Sequence, residues 1–230
     1  TTEGLEIIMK ELPGRSRRME RRTGLRKTGA SVASAFVPDK LKPLVVSDML
    51  VDEATALAQE AFVFGAPLLL CSIQSDYLAQ VTEPTGLRAP INQLGHGRAF
   101  ADATDRTVVG FNVDNLYSFG VVDLTDEPIV MSLPAMGDRY WIMQVIDAWN
   151  GVPAAPGSRS HGGDGGVFLL TGPAYDGDVP DGMEEIQCLT RITMLAGRTY
   201  CSGPDDYKTV NALQDACRLT PLSQDRPNET

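Results

Sequence analysis

The pattern from residue 107 onward constrains the fold of this chain more than any other feature. Seven short runs rich in β-branched, aromatic and aliphatic residues follow one another, and turn-forming residues separate them. Because no helical pattern lies between the runs, they do not fit βαβ units, and an antiparallel sandwich or barrel is indicated. The runs are Thr107–Val113, Leu116–Leu124, Ile129–Leu133, Tyr140–Trp149, Val167–Thr171, Glu185–Thr190 and Ile192–Leu195.

Helical patterns lie on both sides of this β-rich region. Apolar residues recur at three- and four-residue spacing after Ser47, and Leu68–Val81 is typical of a second, more buried helix. Since residues 65–67 read Gly-Ala-Pro, we expect a kink or a break between the two. A last helix is predicted to begin near Pro204, where Asp205 and Asp206 complement the helix dipole.

The charge of the chain is divided unevenly. Residues 1–42 hold ten basic and five acidic residues, a net +5, out of 20 basic and 30 acidic residues overall. Residues 43–230 hold the remaining ten basic and 25 acidic residues, a net charge of −15, which argues against a nucleic-acid-binding domain. The basic segment is either a solvated tail or an anchor for an acidic protein surface or anionic lipid. As an anchor, its partner-binding residues are Arg15, Arg17, Arg18, Arg21, Arg22 and Arg26.

These patterns divide the chain into three parts. We predict a basic N-terminal arm and linker over 1–46, a helix-flanked β-sandwich over 47–223 and a polar tail over 224–230. The longest apolar run, Phe62–Ile73, falls short of the roughly 20 residues that span a bilayer and is interrupted by Gly65 and Pro67. No transmembrane segment is therefore predicted.

The chain begins at Thr1 without a methionine, which is typical of a processed end or of an incomplete chain. A processed end indicates an organelle or an exported compartment, with the protein at most peripheral to a membrane. The four cysteines form no CxxC pair and no metal-ligand spacing, so we predict buried free thiols that leave the redox compartment open.

Only two histidines occur, His96 and His161, and neither has a second histidine at ligand spacing. We therefore predict no metal and no cofactor. His96 lies between two glycines next to Arg98, so it is either a general acid or base oriented by Asp114 or Asp138, or a residue that fixes loop hydrogen bonds. We favour the structural role. His161 precedes two glycines and is expected in a flexible loop.

A polar set stands next to the apolar runs and carries the remaining chemistry. It either lines a small-molecule pocket or forms a buried polar network, and we favour the network. The chain has no GxSxG nucleophile motif and no phosphate-binding loop, so catalysis has only weak candidates: His96, Arg98, Asp114 and Tyr117. The polar set is Asn92, Gln93, Arg98, Asn112, Asp114 and Tyr117.

Eight segments, in order, resemble the domain-of-unknown-function 1254 family over roughly Asp52 to Ser223. They are Asn92–Phe100, Asn112–Ser118, Gly137–Trp141, Gln144–Trp149, Pro156–Arg159, Leu170–Pro173, Gly197–Thr199 and the closing pair Leu213–Asp215 with Arg218–Ser223.

This resemblance implies a jelly-roll-like β-sandwich with helices before and after it, and it implies oligomers. Bacterial members usually carry a second β-domain behind this one, and the family's activity is not established. The chain departs from the pattern in three ways: it stops where that second domain would begin, it carries the basic arm, and it has Asn115 where threonine is more frequent.

Together these features predict a non-enzymatic structural or accessory subunit that docks through its basic arm into a larger assembly, soluble or membrane-associated. Two alternatives stay open. One is a ligand-binding or hydrolytic domain with its pocket near His96, Arg98, Asp114 and Tyr117. The other is a capsid-like self-assembling protein.

Overall fold

The computed structural model describes residues 51–102, 104 and 110–225, with side chains from 53 onward. The basic arm, the linker and the last five residues lie outside the described residues, as do the six arginines predicted to bind a partner. The chain divides into two compact units, Thr1–Ala61 and Phe62–Thr230. Only the start of one helix is described in the first unit, and every described strand lies in the second.

Strands dominate the second unit. We number the helices and strands in chain order: α1 Val51–Ala79, β1 Leu94–His96, β2 Asn115–Asp123, β3 Ile129–Leu133, β4 Trp141–Asp147, α2 Ser158–His161, β5 Gly166–Thr171, β6 Glu184–Gln187, β7 Ile192–Tyr200, α3 Tyr207–Ala216 and β8 Arg218–Pro221. Single 3₁₀ turns, Pro204–Asp206 and Leu222–Gln224, precede α3 and follow β8.

The strands form two four-stranded sheets, ordered β1-β2-β7-β4 and β6-β5-β3-β8. One apolar core joins them, since Val145 of the first sheet and Met131 of the second belong to the same buried cluster. Alternate residues of β4 are buried, as expected for a strand with one face on a core. Each fully buried aliphatic side chain contributes roughly 1.5–3 kcal/mol. The predicted mainly-β, sandwich-like fold is confirmed.

Individual strands differ from their predictions in instructive ways. The bounds of β3 match the predicted run, whereas β1 and β8 had no predicted counterpart. Residues 110–113 are not in a strand, and most of the remaining run from Thr107 lies outside the described residues. The pairing of β6 with β5 is parallel, not antiparallel as expected, because the 12-residue connection between them is long enough for a crossover.

The first helix continues through Pro67, so the predicted break after Gly65 is wrong. Proline removes one backbone donor and its ring crowds the carbonyl four residues earlier, but its fixed φ is helical, so a helix can continue past it where packing offsets this cost. Packing holds the second half of α1 in line. Cys71, Ser75 and Leu78 are buried on one side of the helix, and the Cys71 thiol donates to the carbonyl oxygen of Asp147 at 3.7 Å. In the described residues one helix, Glu53–Ala79, has the length and composition to cross a membrane, a test that buried core helices also pass.

The C-terminal helix begins as predicted, with Pro204 and two acidic residues in its first turn. An ion pair fixes this turn to the sandwich: both guanidinium NH groups of Arg139 donate to the Asp206 carboxylate, at 2.6 and 2.9 Å. These hydrogen bonds, with one from the Ser202 backbone, lower the pKa of Asp206 to about 2. The buried side of α3 carries Val210 and Gln214, and Gln214 reaches the candidate site.

Candidate functional site

The candidate site is built around His96, the last residue of β1. In the register of β1 with β2, His96 lies opposite Ser118, and the two side chains meet between the strands. The Nδ1 atom of His96 lies 2.8 Å from the Ser118 hydroxyl, and His96 is only 8% exposed. The histidine ring is therefore held by a cross-strand hydrogen bond rather than by its flanking glycines.

Gln214 of α3 orients this pair from above. Its amide nitrogen donates to the backbone oxygen of Tyr117 at 3.1 Å and to the Ser118 hydroxyl at 3.4 Å. Its amide oxygen accepts from Arg98 at 3.5 Å, which fixes which end of the amide faces Ser118. Gln214 is almost completely buried, so these hydrogen bonds satisfy a polar group that would otherwise destabilise the fold.

The hydrogen bonds of Ser118 admit two arrangements of the proton on a neutral His96. In the first, the Ser118 hydroxyl accepts from Gln214 and donates its own hydrogen to Nδ1 of His96, so the ring carries its hydrogen on Nε2. In the second, the hydroxyl accepts from an Nδ1–H of His96 as well. No described residue accepts from Nε2, so in the first arrangement the Nε2–H is the donor that the site presents to a ligand.

Burial keeps His96 neutral. Loss of solvent, with a smaller effect from the Arg98 charge, lowers the pKa of His96 to about 4, although the Asp215 charge opposes the shift. Arg98 is itself paired with Asp215 at 2.6 Å. A group with this pKa is a poor proton acceptor near neutral pH, so the geometry favours a hydrogen-bond donor over a general base.

A cavity of about 220 Å³ opens beside His96, between the edge strands β1 and β8. Its polar lining includes Asn92, His96 and Arg218. Its apolar lining includes Leu94 and Leu219. Cys217 also lines it, and burial raises the pKa of that thiol to about 12, so the sulfur stays protonated and is no nucleophile at neutral pH.

The structure separates the residues that the sequence grouped with His96. Asp114 accepts a hydrogen bond from the Asn115 side chain at 2.7 Å, and neither Asp114 nor Asp138 bonds to His96 in the described part of the chain. The Tyr117 ring lies on the opposite face of β2, against Phe111 and Phe119. Only His96 and Arg98 of the four weak catalytic candidates share a hydrogen-bonded cluster.

Of the three other members of the predicted polar set, Asn92 and Gln93 line the His96 cavity, and Asn112 lies apart from it. The Asn92 side chain accepts from the backbone of Asp123 at 2.9 Å, and the backbone of Asn112 donates to the Tyr117 hydroxyl at 3.0 Å. The described residues contain no group of three or more His, Cys, Asp or Glu that could hold a metal ion.

The second histidine forms its own hydrogen-bonded chain. His161 ends α2 and accepts or donates at both ring nitrogens, with the Ser160 hydroxyl 2.7 Å from Nδ1 and Glu184 3.0 Å from Nε2. Its ring packs edge-on against Phe168 at 5.1 Å, so it is not the flexible loop residue that we expected. The serine–histidine–glutamate order is that of a hydrolase triad. The backbone N–H groups of Ser160 and His161 both donate to Gly157, so neither is available as an oxyanion donor, and the cluster fastens β6 to α2 instead.

Sequence reasoning missed four residues of the His96 site: Ser118, Gln214, Cys217 and Arg218. All four lie in or beside segments that resemble the family, Asn112–Ser118, Leu213–Asp215 and Arg218–Ser223. Those segments signalled that the two regions matter, but gave no sign that β2, α3 and β8 meet at one place.

Comparison with known proteins gives a family and a fold but no activity. A family profile described as "Protein of unknown function (DUF1254)" matches residues 91–221. No curated protein matches the chain. The crystal structure of the VPA0106 protein from Vibrio parahaemolyticus is similar, with 25% identity and a TM-score of 0.60 over 74% of this chain. The match covers 39% of the Vibrio protein, so this chain spans about two-fifths of that relative's length.

A second solved structure, of an uncharacterized protein from Burkholderia cenocepacia, matches more distantly. It is 13% identical, with a TM-score of 0.34 over 80% of this chain and 46% of that one.

Proposed function

This chain belongs to the DUF1254 family, whose description states no activity, and we propose from its own geometry that it is a structural subunit that pairs with a second copy of itself through α1. We also propose that the two sheets of the β-sandwich have the jelly-roll-like arrangement that the family resemblance implies. One observation carries the proposed pairing: α1 has two apolar sides, and the described residues cover only one of them. The uncovered side, which we call the outer face of α1, consists of Phe62, Val63, Ala66, Leu69, Leu70, Ile73 and Tyr77.

The centre of the outer face lies opposite the packed side of the helix, while Val63 and Leu70 lie at its flank, beside a pocket that Cys71 and Met194 also line. At 100° per residue, Phe62, Leu69 and Ile73 point away from the side on which Cys71 and Leu78 are buried. Phe62 is 60% exposed and Leu69 is 55% exposed. A helix that is apolar on all sides is normally buried in a protein core or in a membrane, so the outer face is typical of a surface that is covered by protein or lipid.

The size of this surface suits a specific protein contact. Its six large side chains together expose on the order of 700 Å², close to the roughly 800 Å² per partner of a standard interface. Burying apolar area of this size on both partners provides a driving force that scattered exposed residues do not.

The charges near α1 favour protein over lipid as the occupant. No charged residue lies between Glu60 and Asp76, and α1 contains no lysine or arginine at all. Helices that lie on membranes usually carry several basic residues beside the apolar face, which hold anionic headgroups. Beside the outer face lies Arg88, whose guanidinium is 4.7 Å from the Tyr77 ring and donates to the backbone oxygens of Tyr77 and Gln80 at the C-terminal end of α1. Two copies of α1, in contrast, can approach along this 15-residue uncharged stretch although each body carries a net −15.

The spacing of the outer face is that of helix–helix pairing. Phe62, Ala66, Leu69 and Ile73 follow one another at intervals of four, three and four, the spacing of a coiled-coil seam. The small Ala66 lets two helices approach closely near the middle of the seam. A second α1 presents the same spacing, so a self-complementary pair needs no other component.

The basic arm adds a second, electrostatic contact to the proposal. The net +5 of residues 1–42 complements the net −15 of the body of another copy. The arm would then extend a pair into a larger assembly.

The mass of the full chain in solution tests the proposal. Multi-angle light scattering at micromolar concentration is expected to give twice the 24.8 kDa of one chain. Leu69→Glu should give single chains because it places a charge in the contact, while Ser72→Glu, which adds the same charge beside the outer face, should leave the pair intact. Single chains in the unmodified protein would overturn the proposal. A pair that comes apart when neutral lipid vesicles are added, and under no other condition, would also overturn it, because lipid would then be what covers the outer face.

A further inference from the structure

We infer that the cavity between β1 and β8 binds a small molecule with a carboxylate group, which His96 and Arg218 hold while Leu94 and Leu219 contact its apolar part. This site is separate from the outer face of α1, and its existence does not depend on the pairing of chains. The inference rests on three properties of the cavity: a histidine nitrogen on its wall, a cation that no described residue pairs, and an open sheet edge.

The histidine nitrogen is Nε2 of His96. The ring lines the cavity, more than nine-tenths of the residue is buried, and Ser118 occupies the other ring nitrogen. His96 Nε2 is not among the buried described side-chain atoms that lack a partner, so it is open to the cavity, where an acceptor oxygen on a ligand would replace water.

The cation is the guanidinium of Arg218. It lines the same cavity and forms no salt bridge with any described residue, whereas Arg98 nearby is neutralised by Asp215. In a body with a net charge of −15, an unpaired guanidinium beside a neutral donor selects for an anion. Guanidinium and carboxylate also match in planar geometry, which makes a carboxylate a better occupant than a halide.

The open edge comes from the strand order. β1 pairs only with β2, and β8 pairs only with β3, so each leaves its outer edge toward the cavity. Such edges present unpaired backbone groups to a ligand. The volume of about 220 Å³ limits the ligand to a small molecule, and the leucine side chains favour one with an apolar body.

Nuclear magnetic resonance of the histidine rings tests this inference, because the chain has only two histidines to distinguish. Benzoate is the probe, benzamide is its uncharged match, and the ring signals of His161 serve as the internal control. Benzoate should shift the His96 signals saturably, and benzamide should bind at least tenfold more weakly. Arg218→Gln is an exposed substitution that leaves the core intact, and it should weaken the binding of benzoate at least tenfold. Leu219→Trp should block the cavity and abolish binding.

Two results would overturn the inference. One is that benzoate leaves the His96 signals unchanged in the folded chain up to its solubility limit. The other is that Arg218→Gln binds benzoate as tightly as the unmodified chain does.

Discussion

The Ser118 hydroxyl lies 2.8 Å from Nδ1 of His96, and this one hydrogen bond decides what the histidine offers to its surroundings. Gln214 donates to the same hydroxyl; if the serine then donates onward to Nδ1, Nε2 of His96 keeps its hydrogen and faces the cavity as a donor. The site is therefore described by the direction of a hydrogen-bond chain rather than by a residue motif.

Ser118→Ala breaks this chain and tests its direction. We expect a loss of about 1–3 kcal/mol in the free energy of unfolding, because Nδ1 of His96 loses its buried partner, while the Gln214 amide keeps the backbone oxygens of Gly97 and Tyr117 as acceptors. The nitrogen chemical shifts of His96 should also show that Nε2–H is no longer the dominant form. Ser72→Ala, at an exposed position of α1, is the control. An unchanged His96 tautomer in Ser118→Ala would contradict the assignment.

Acid should weaken the fold through His96 in a definite window. The pKa of His96 is lowered to about 4 in the folded chain, against about 6.5 when unfolded, so the unfolded chain takes up the proton first as pH falls. The contribution of His96 to the free energy of unfolding is fully present above pH 6.5. It declines as pH falls towards 4, by about 3 kcal/mol in all. Urea unfolding between these pH values measures the slope. His96→Gln should remove most of it, and an equal slope in both proteins would show that His96 is not the group responsible.

The ion pair of Arg139 with Asp206 should act in a lower pH window. The pKa of Asp206 is lowered to about 2, so its contribution is present above pH 4 and is lost as pH falls towards 2. Arg139→Met should cost roughly 2 kcal/mol at pH 7, because hydrogen bonds to a charged group are lost. Near pH 2 the variant and the original chain should differ much less, and a difference that does not change with pH would rule out the ion pair as its source.

How far the sequence predicts this structure depends on the length of each element. The run Ile129–Leu133 matches β3 because four apolar residues in a five-residue run between turn signals suffice to define a buried strand. β1 and β8, with three and four residues, carry no pattern of their own, and their pairing partners decide their conformation. The uninterrupted course of α1 past Pro67 likewise depends on packing, which local sequence does not contain.

The candidate site divides in the same way. His96 stands out in the sequence between two glycines, but Gln214 reaches it only through the fold. Tyr117 was grouped with His96 although strand alternation turns neighbouring side chains to opposite faces. Since Ser118 is the cross-strand partner of His96, the side chain of Tyr117 is directed away. That part of the prediction could have been refined from periodicity alone.

The basic arm lies outside the described residues, and its role stays a prediction that salt can test. If the arm binds the acidic body of another copy, assemblies larger than a pair should dissociate as salt rises, since exposed charges are screened beyond about 10 Å at 0.1 M. Replacing Arg17, Arg18, Arg21 and Arg22 with glutamate should abolish these assemblies in sedimentation experiments but spare the pair made by α1. Assemblies that resist both salt and charge reversal would contradict this role for the arm.

Contact between two copies of Leu69 is the most direct consequence of the central claim, and cysteine cross-linking measures it. Leu69 lies at the middle of the outer face, so two copies of it meet whether the paired helices run parallel or antiparallel. Under mild oxidation, Leu69→Cys should form a covalent pair at low protein concentration. Asp178→Cys, at an exposed loop position, should not do so, and neither should the unmodified chain, in which three of the four cysteines are buried. A Leu69→Cys protein that cross-links no faster than Asp178→Cys would contradict the pairing of chains through α1.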